Sequence, residues 1–373
     1  MSELHVDAES LRVQGGAIVY RLHDVGYELH LDRALDRLAA SAPERVRPVR
    51  GEAQAIQIKH PPVAVVLGTE RVTIGGRATD VEVSARLYSF GVISLRARLE
   101  CAGEPSWSQF IDFGDAVESA PLDVVFAHHL RLLLERIGDA VERPQVSAQR
   151  EDYIVFRVDR LLGAHAEPAP ASVLRDAELA PLLLNERRVL SAAARAELLP
   201  HRFSYYPDDL AVLTWDNALV VDPEPGETDV EFLLEFANAQ LLELRYYDAL
   251  LDAELPRMYE RTKSVAGPRL FRRYGPLLAE LQTLVAESTE IVEQAENALK
   301  VTDDVYLARV YLSALEIFRA RAWRTGIDRK LAIIRETYQM LNAQGQAARS
   351  EALELAIVLL IVLEIVLAFA VRL

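Results

Sequence analysis

The sequence predicts an α+β protein that ends in a transmembrane helix. Residues 1–226 are expected to form a mixed α/β body, residues 228–350 a long antiparallel helical hairpin of coiled-coil type, and residues 353–372 a single C-terminal transmembrane helix. Three patterns favour this architecture: β-branched runs alternate with helical spacing in the body, regular four-and-three spacing follows, and an apolar run closes the chain. A length of 373 residues is sufficient for two or three such parts.

The body shows alternating strand and helix signals. Short runs rich in β-branched and aromatic residues predict strands, and leucines at helical spacing predict helices. Gly75 and Gly76 predict a tight turn at the end of one strand. The predicted elements are strands at residues 17–22, 63–76 and 80–100 and helices at residues 31–40 and 122–141.

Two pairs of similar short runs indicate a duplication within the body. The paired runs are residues 18–21 with 154–157 and residues 64–67 with 211–214. In each copy a helical segment separates the two runs, and a hairpin is predicted after the second run, beginning near Gly68 in one copy and near Asp216 in the other. The hypothesis is two β-α-β-β units, residues 15–141 and residues 150–226. Chance similarity between apolar strands is the alternative.

From Thr228 onward the sequence predicts long helices. Thr228 and Glu231 form a capping-box pattern ahead of an apolar run, so a helix is expected to begin there and to continue to about Lys263, where a Gly-Pro pair interrupts it. Further helices should follow, and a change of phase is expected near Gly326. Their apolar stripes are Leu277, Leu281, Leu284, Ser288, Ile291, Ala295 and Ala298, then Tyr311, Leu315, Phe318 and Ala322, then Ile327, Leu331, Ile334, Tyr338 and Leu341.

The last apolar run, residues 355–371, contains one carboxylate, Glu364. At ~1.5 Å rise per residue the run spans about 25 Å, near the lower limit for the hydrocarbon core of a bilayer. The insertion free energy of its apolar side chains outweighs the penalty for one acid. The sequence therefore predicts a membrane span in which Glu364 mediates intramembrane association. A helix buried in a soluble bundle is the alternative.

The composition limits the classes of partner. A net charge of −15 argues against general coating of nucleic acid, and no DNA partner is expected. Cys101 is the single cysteine, so an internal disulfide cannot form. Residues 1–10 carry acids instead of an apolar or Arg-rich leader, so neither a signal peptide nor an organelle presequence is predicted.

Motifs of common catalytic sites are missing from the sequence. It contains no phosphate-binding loop, His-Glu-x-x-His, Cys-x-x-Cys or Gly-x-Ser-x-Gly pattern. His128 and His129 are adjacent, so on a helix they would point about 100° apart and could not form a two-ligand face. The acids at 112–115 and 208–209 and the pair Tyr205-Tyr206 are interpreted as loop and packing residues, with metal binding and base stacking as alternatives. No catalytic, cofactor-binding or metal-ligating residue is assigned, and no cofactor is expected.

Two groups of basic residues are candidate contact surfaces. Such groups suit lipid phosphates or RNA, and the alternative is solvated helix charge with i, i+4 partners such as Asp328. The first group, around the hairpin connection, is the candidate partner-binding surface and comprises Arg257, Arg261, Lys263, Arg269, Arg272 and Arg273. The second group comprises Arg319, Arg321, Arg324, Arg329 and Lys330.

The C-terminal half also carries a family resemblance. The residues concerned are Tyr311-Leu312, Phe318-Arg319, Trp323-Arg324, Ile327-Asp328, Lys330-Leu331, Tyr338, Leu341, Arg349, Leu353-Glu354 and residues 361–365. Together with residues 88–95 and 236–240 they resemble the family of proteins required for meiotic nuclear division, over roughly residues 80–373. The resemblance implies a membrane-bound, oligomeric protein without an established enzymatic activity. The missing presequence and the Ala-, Arg- and Leu-rich usage indicate a bacterial member.

These observations together predict a membrane-anchored homo-oligomeric scaffold or tether without enzymatic activity. It is expected at the cell inner membrane, with a single membrane pass and its body in the cytoplasm, and the resemblance implies a role near membrane-associated translation or in membrane organisation. One alternative is a tether that binds RNA or ribosomes through the basic hairpin residues. A second alternative is an unrecognised metal-dependent hydrolase.

Overall fold

The computed structural model describes residues 10–46, 56–163, 165–224, 226–264, 275–301 and 304–370 of the chain. The chain divides into two units. Unit 1 combines Met1–Tyr246 with Gln294–Arg321, and unit 2 combines Tyr247–Glu293 with Ala322–Leu373. Each unit is therefore built from segments that are distant in sequence.

Unit 1 contains a mixed β-sheet. The strands are β1 (Arg12–Asp24), β2 (Gly26–Leu29), β3 (Glu44–Arg45), β4 (Ile56–Ile58), β5 (Val63–Ile74), β6 (Arg77–Leu87), β7 (Val92–Glu100), β8 (Val141–Pro144), β9 (Arg150–Leu162), β10 (Arg202–Phe203), β11 (Leu210–Leu213), β12 (Asn217–Val221) and β13 (Leu299–Val301). Among the described residues, nine strands pair in the order β10-β11-β12-β9-β1-β7-β6-β5-β3. Neighbours in this sheet are antiparallel except β12 and β9, which are parallel and place Asn217 beside Ile154.

Helices cover both faces of the sheet. Across the described residues the helices of the chain are α1 (Leu31–Leu38), α2 (Trp107–Glu118), α3 (Leu122–Ile137), α4 (Asp176–Leu183), α5 (Ala192–Leu198), α6 (Asp229–Ser264), α7 (Gly275–Asn297), α8 (Val305–Ile317) and α9 (Ala320–Ala370). On one face Val19 shares a core with Phe110 and Phe126 from α2 and α3. On the other face the ring of Phe236 in α6 lies 5.5 Å from that of Tyr88. Because both faces are covered, β1 is buried along nearly its whole length.

The hairpin between β5 and β6 turns at Gly75 and Gly76, with φ of +55° and +80°. The predicted turn at these glycines is confirmed, whereas the hairpin predicted around Gly68 is wrong. At Gly68 the strand continues and its register against β6 shifts, so this glycine marks a β-bulge. The second predicted hairpin is confirmed, since β11 and β12 are joined by the turn that contains Asp216.

The two segments of the proposed duplication differ in strand order. In the second segment β12 lies beside β9 and is parallel to it. In the first segment β7 lies beside β1 and is antiparallel to it. A simple repeat would place equivalent strands in equivalent positions, so the duplication stays a prediction.

The start of α6 and the antiparallel return of α7 follow the predicted pattern. Near the start of α6, Gln240 Nε2 donates a hydrogen bond to the carbonyl oxygen of Ala295 near the end of α7, at 2.6 Å. Ser288, Ile291 and Ala295 of the predicted stripe are buried. The chain therefore returns along α6 as four-and-three spacing suggests.

Unit 2 consists of the later part of α6, most of α7 and the part of α9 that begins at Ala322. Lys330 Nζ in α9 lies 2.7 Å from Asp248 Oδ1 in α6, and Arg335 donates to Thr289 Oγ1 in α7 at 3.4 Å. The α9 stripe Ile327, Leu331, Ile334 and Leu341 is buried, as predicted. The helical phase changes earlier than expected, because the chain breaks between α8 and α9 at Arg319, whose φ is +52°.

In the part of the chain that the structure describes, no helix combines the length and the apolar character needed to cross a membrane. The predictions of a C-terminal transmembrane helix and of a single-pass inner-membrane protein are therefore wrong. Between Glu354 and Glu364 the uninterrupted apolar run covers residues 355–363, ~14 Å of helix against a hydrocarbon core of ~30 Å. The fold is α+β, with a mixed nine-stranded sheet and C-terminal helices.

Candidate functional site

A long apolar surface is exposed on the last turns of α9. Upstream of it, one stripe of α9 is buried and the opposite side is polar. From Leu355 onward ten large apolar side chains are each exposed by at least half, and because consecutive helical residues point about 100° apart they surround the helix. This surface, called here the α9 apolar segment, consists of Leu355, Ile357, Val358, Leu359, Leu360, Ile361, Val362, Leu363, Ile365 and Leu367.

Glu364 lies inside the α9 apolar segment and its side chain is exposed. Its predicted role within a membrane depended on the transmembrane helix that the described residues do not contain. A role of Glu364 in association between copies of the chain stays a prediction.

The first basic group falls mostly outside the described side chains. Arg257 is described, and its Nη1 lies 2.5 Å from Glu254 Oε1 one turn earlier in α6. The side chains of Arg261 and Lys263, and the whole of Arg269, Arg272 and Arg273, lie outside the described residues. The RNA or ribosome tether that rested on this group therefore stays a prediction.

Two of the five residues of the second basic group form ion pairs within the fold. Arg324 Nε lies 3.2 Å from Asp328 Oδ2, which confirms the i, i+4 pairing that was the alternative. Lys330 is held by Asp248 in α6. Arg319 lies with its guanidinium carbon 5.7 Å from the ring centre of Trp215. The remaining members, Arg321 and Arg329, are exposed.

Charged side chains are buried between the sheet and the start of α6. Arg86 on β6 is 1% exposed; it lies 2.7 Å from Glu227 Oε2 and also pairs with Glu235 in α6. Arg96 on the neighbouring strand β7 lies 3.1 Å from Glu227 Oε1. Burial acts to raise the pKa of Glu227, but the two arginines outweigh it and lower that pKa to about 2. The carboxylate of Glu227 is therefore ionised.

A second buried ion pair connects α6 to β9. Arg157 Nη1 lies 3.2 Å from Glu231 Oε1. The predicted capping box is confirmed, since Glu231 accepts a hydrogen bond from the Thr228 N–H at 3.0 Å and donates its own N–H to Thr228 Oγ1 at 3.2 Å. Burial raises the pKa of Glu231 to about 7 against the opposing effect of Arg157. One carboxyl group thus caps the helix and attaches it to the sheet.

Two buried carboxyl groups meet between the end of β1 and α6. Asp24 is 4% exposed and Glu243 is 2% exposed. Among the described residues, Asp24 Oδ2 and Glu243 Oε1 have no hydrogen-bond partner. Burial raises the pKa of Asp24 to about 7, and burial together with the charge of Asp24 raises the pKa of Glu243 well above its usual range. Both carboxyl groups therefore hold a proton more tightly than an exposed acid does.

These buried charges were not predicted from the sequence. Arg86 and Arg96 lie in strands that carry several other charged residues, and their partners are more than 130 positions away. A usable signal was present in α6, where Glu231 and Glu235 lie four residues apart among buried apolar residues. Acids at such positions on an apolar helix face indicate partners in the element packed against it.

The other residues considered for chemistry have ordinary partners. His129 is buried with Nε2 3.1 Å from Glu70 Oε1, while its neighbour His128 is exposed. Asp112 in α2 lies 2.8 Å from Arg187, which also contacts Asp115. Within the described ranges no group of three or more His, Cys, Asp and Glu side chains could hold a metal ion. The metal-dependent hydrolase stays a prediction.

Comparisons with known proteins place the body of this chain in a family. A family model described as "Uncharacterized protein MJ0711, N-terminal domain" matches residues 14–228. The chain belongs to this family. The MJ0711-family segment begins at the third residue of β1 and ends at the capping residue of α6, so it contains the nine-stranded sheet except the first two residues of β1.

The chain is similar to "Uncharacterized protein MJ0711" of Methanocaldococcus jannaschii, with 27% identity over 192 residues. The similarity covers 52% of this chain and 59% of that relative. The chain thus spans less than two thirds of the relative's length. No solved structure matches the chain.

The resemblance to the meiotic nuclear division family is wrong. The matching family is that of MJ0711, and the relative is archaeal, which also contradicts the predicted bacterial origin. The residues that carried the resemblance lie mainly after Thr228, beyond the matched segment. Apolar stripes with scattered charges recur in many long helices, so this pattern does not distinguish one family from another.

Proposed function

We propose that this MJ0711-family protein is a non-enzymatic scaffold that associates with further copies of itself through the α9 apolar segment. The observation that carries the proposal is the exposure of ten large apolar side chains around one helix. Exposed apolar surface of this extent is typical of an interaction site. Because the apolar residues surround the helix, full coverage requires more than one partner helix.

The apolar contacts are strong enough to support association. Burying the exposed half of such a side chain contributes about 1 kcal/mol, so ten of them contribute roughly 10 kcal/mol for each chain. The loss of translational and rotational freedom opposes association by about 4–15 kcal/mol. Coverage of the segment by several helices is therefore sufficient for a stable assembly.

A second copy of the chain is the best-matched occupant. Its α9 apolar segment has the same length, so parallel segments from several copies can cover one another along their full length. Each copy carries a net charge of −15, and this repulsion is screened by salt. Association through the segment should therefore strengthen as the salt concentration rises.

The absence of enzymatic activity is supported by where the ionisable groups lie. Arg86, Glu231 and Glu235 are 0–1% exposed and form ion pairs between the sheet and α6. A substrate could reach them only after α6 had moved off the sheet. Their contacts attach a helix to the sheet and account for their presence.

The proposal is tested by measuring the mass of the full chain by light scattering during size-exclusion chromatography. The wild-type protein should elute as a multiple of the monomer mass, and the double variant Leu359→Glu with Leu363→Glu should elute as a monomer. The matched control is Ile333→Glu with Met340→Glu, two exposed apolar positions earlier in α9, which should keep the wild-type mass.

Three results would overturn the proposal. The wild-type chain could remain monomeric at all concentrations and salt levels, or the control variant could dissociate as fully as the segment variant. Alternatively, the wild-type chain but not the segment variant could float with phospholipid vesicles, which would make lipid the occupant of the segment.

A further inference from the structure

Unit 1 contains an open cavity of about 730 Å³. It lies where β1, β9 and β12 meet the ends of α2, α4 and α5. This volume is within the range of small-molecule sites in proteins. None of the predicted site residues except Arg319 lines it.

Carboxylates dominate the charge of the cavity wall. Asp152 is 3.4 Å from Arg21, and Glu118 accepts a hydrogen bond from Asn185 Nδ2 at 3.2 Å. Within the described parts of the chain, Glu118, Glu197 and Asp216 have no cationic partner. Burial is the main cause that raises the pKa values of Glu118 and Asp216. The negative charges of nearby acids raise them further, Asp115 and Asp216 for Glu118 and Asp152 for Asp216.

The wall contains fewer cationic groups than carboxylates, and one of them also pairs with an acid elsewhere. Arg21 also pairs with Asp123 at 3.0 Å, outside the cavity wall. Arg319 lies 5.7 Å from the ring centre of Trp215, on the side of the cavity formed by the α8–α9 break. Four carboxylates face two guanidinium groups, so the cavity has an excess of two negative charges and favours a cation of charge about +2.

The rest of the wall is apolar or aromatic. Leu183 and Leu184 at the end of α4 and Ile317 at the end of α8 line it, together with Trp215, which is 41% exposed. Such a wall suits a hydrocarbon chain and leaves a bare metal ion without ligands on that side. The described residues also contain no group of His, Cys, Asp and Glu with metal-site geometry.

We propose that this cavity binds a small alkyl diammonium ion. One ammonium group lies between Glu118 and Asp216, the second lies near Asp152, and the alkyl chain packs against the leucines of α4. An ammonium group donates three hydrogen bonds and accommodates carboxylates at varied spacing, which fits acids from three separate elements. This binding site is independent of the α9 apolar segment.

Titration calorimetry of the full chain with 1,4-diaminobutane tests the proposal. Saturable binding with one site per chain is expected. Asp216→Asn and Glu118→Gln should each weaken binding by about tenfold, which corresponds to the loss of one charge contact. Glu82→Gln, an exposed acid on β6 outside the cavity, is the control and should bind like the wild type.

Ligand variants separate this chemistry from general attraction of cations. Butylamine, with one ammonium group, should bind at least tenfold more weakly than the diamine. Magnesium chloride should not displace the diamine beyond the effect of sodium chloride at the same ionic strength. The proposal is refuted by the absence of saturable diamine binding, by equal binding of butylamine, or by cavity variants that keep their circular dichroism and bind like the wild type.

Discussion

Arg86 shows how this protein keeps a charge inside its sheet. Its guanidinium faces the carboxylates of Glu227 and Glu235 and lies 5.1 Å from the ring centre of Phe232. Removing a charge from water is unfavourable, so such a residue is tolerated when its partners are fixed around it. At this position Glu227, just before α6, and Glu235, in its second turn, supply the partners.

We expect Arg86→Met to lower the free energy of unfolding by about 3–5 kcal/mol, because the fully buried Glu235 loses its closest cation and the partly buried Glu227 keeps only Arg96. Urea unfolding followed by circular dichroism measures the change. Arg71→Met is the matched control: Arg71 lies 2.8 Å from Asp80, both are more than half exposed, and the expected loss is much smaller because water screens the pair. Equal losses in the two variants would show that the buried pairs add nothing to stability.

At the scale of elements, two glycines with similar backbone angles serve different purposes. Gly76 in the β5–β6 turn has φ +80° and nothing near the position of a Cβ. Gly91 in the β6–β7 turn has φ +87°, and a Cβ there would overlap the carbonyl oxygen of Gly26 in β2. Gly91 therefore allows a turn and also the close approach of another strand.

The variants Gly91→Ala and Gly76→Ala separate these two effects. Both introduce a side chain at positive φ, which costs about 1 kcal/mol. Gly91→Ala should cost at least about 3 kcal/mol, since β2 must also shift. Thermal unfolding of the two proteins gives the comparison, and an equal decrease in the midpoint would contradict the proposed contact with β2.

Other elements show which local signals are sufficient. The capping pattern of Thr228 and Glu231 predicts the start of α6 because its hydrogen bonds join residues three positions apart. Gly68 is misleading because a glycine suits both a turn and a bulge, and the pairing of β5 with β6 decides between them. Local patterns thus predict elements well when their own hydrogen bonds define them.

At the scale of the whole molecule, several buried acids act together on stability. Burial raises the pKa values of Asp24, Glu151 and Glu231 to about 7 each. Unfolded carboxyl groups titrate near pH 4, so between about pH 4 and 7 the folded chain binds more protons than the unfolded chain. Its stability therefore falls as the pH rises through this interval. Glu227 acts in the opposite sense: its stabilisation is present above about pH 4.5 and is lost as the pH falls towards 2.

We expect the free energy of unfolding to decrease between about pH 5 and about pH 8, and Asp24→Asn to reduce that decrease by on the order of 3 kcal/mol. Urea titrations across this range measure the effect. Asp36→Asn, at an exposed position on α1, is the control and should follow the wild-type curve. A curve that is flat, or that rises towards pH 8, would be incompatible with protonated buried acids.

The α9 helix shows most clearly which features the local sequence predicts and which features depend on tertiary packing. Its helical pattern and its buried stripe from Ile327 to Leu341 were readable from spacing, because both depend on neighbours along the helix. The terminal apolar run was readable as apolar, but its interpretation as a membrane span was wrong. The cavity could not be predicted from the sequence, because its walls come from strands and helices up to about 300 positions apart in sequence.

Helices, turns and caps in this protein follow from the order of the amino acids, because their hydrogen bonds and side-chain periodicity are local. The partners of Arg86, the meeting of Asp24 with Glu243, the cavity beside Trp215 and the exposure of the α9 apolar segment were decided by tertiary packing. Each depends on which distant segments the sheet and α6 bring together. These long-range contacts arise from that packing and are not encoded in any short stretch of sequence.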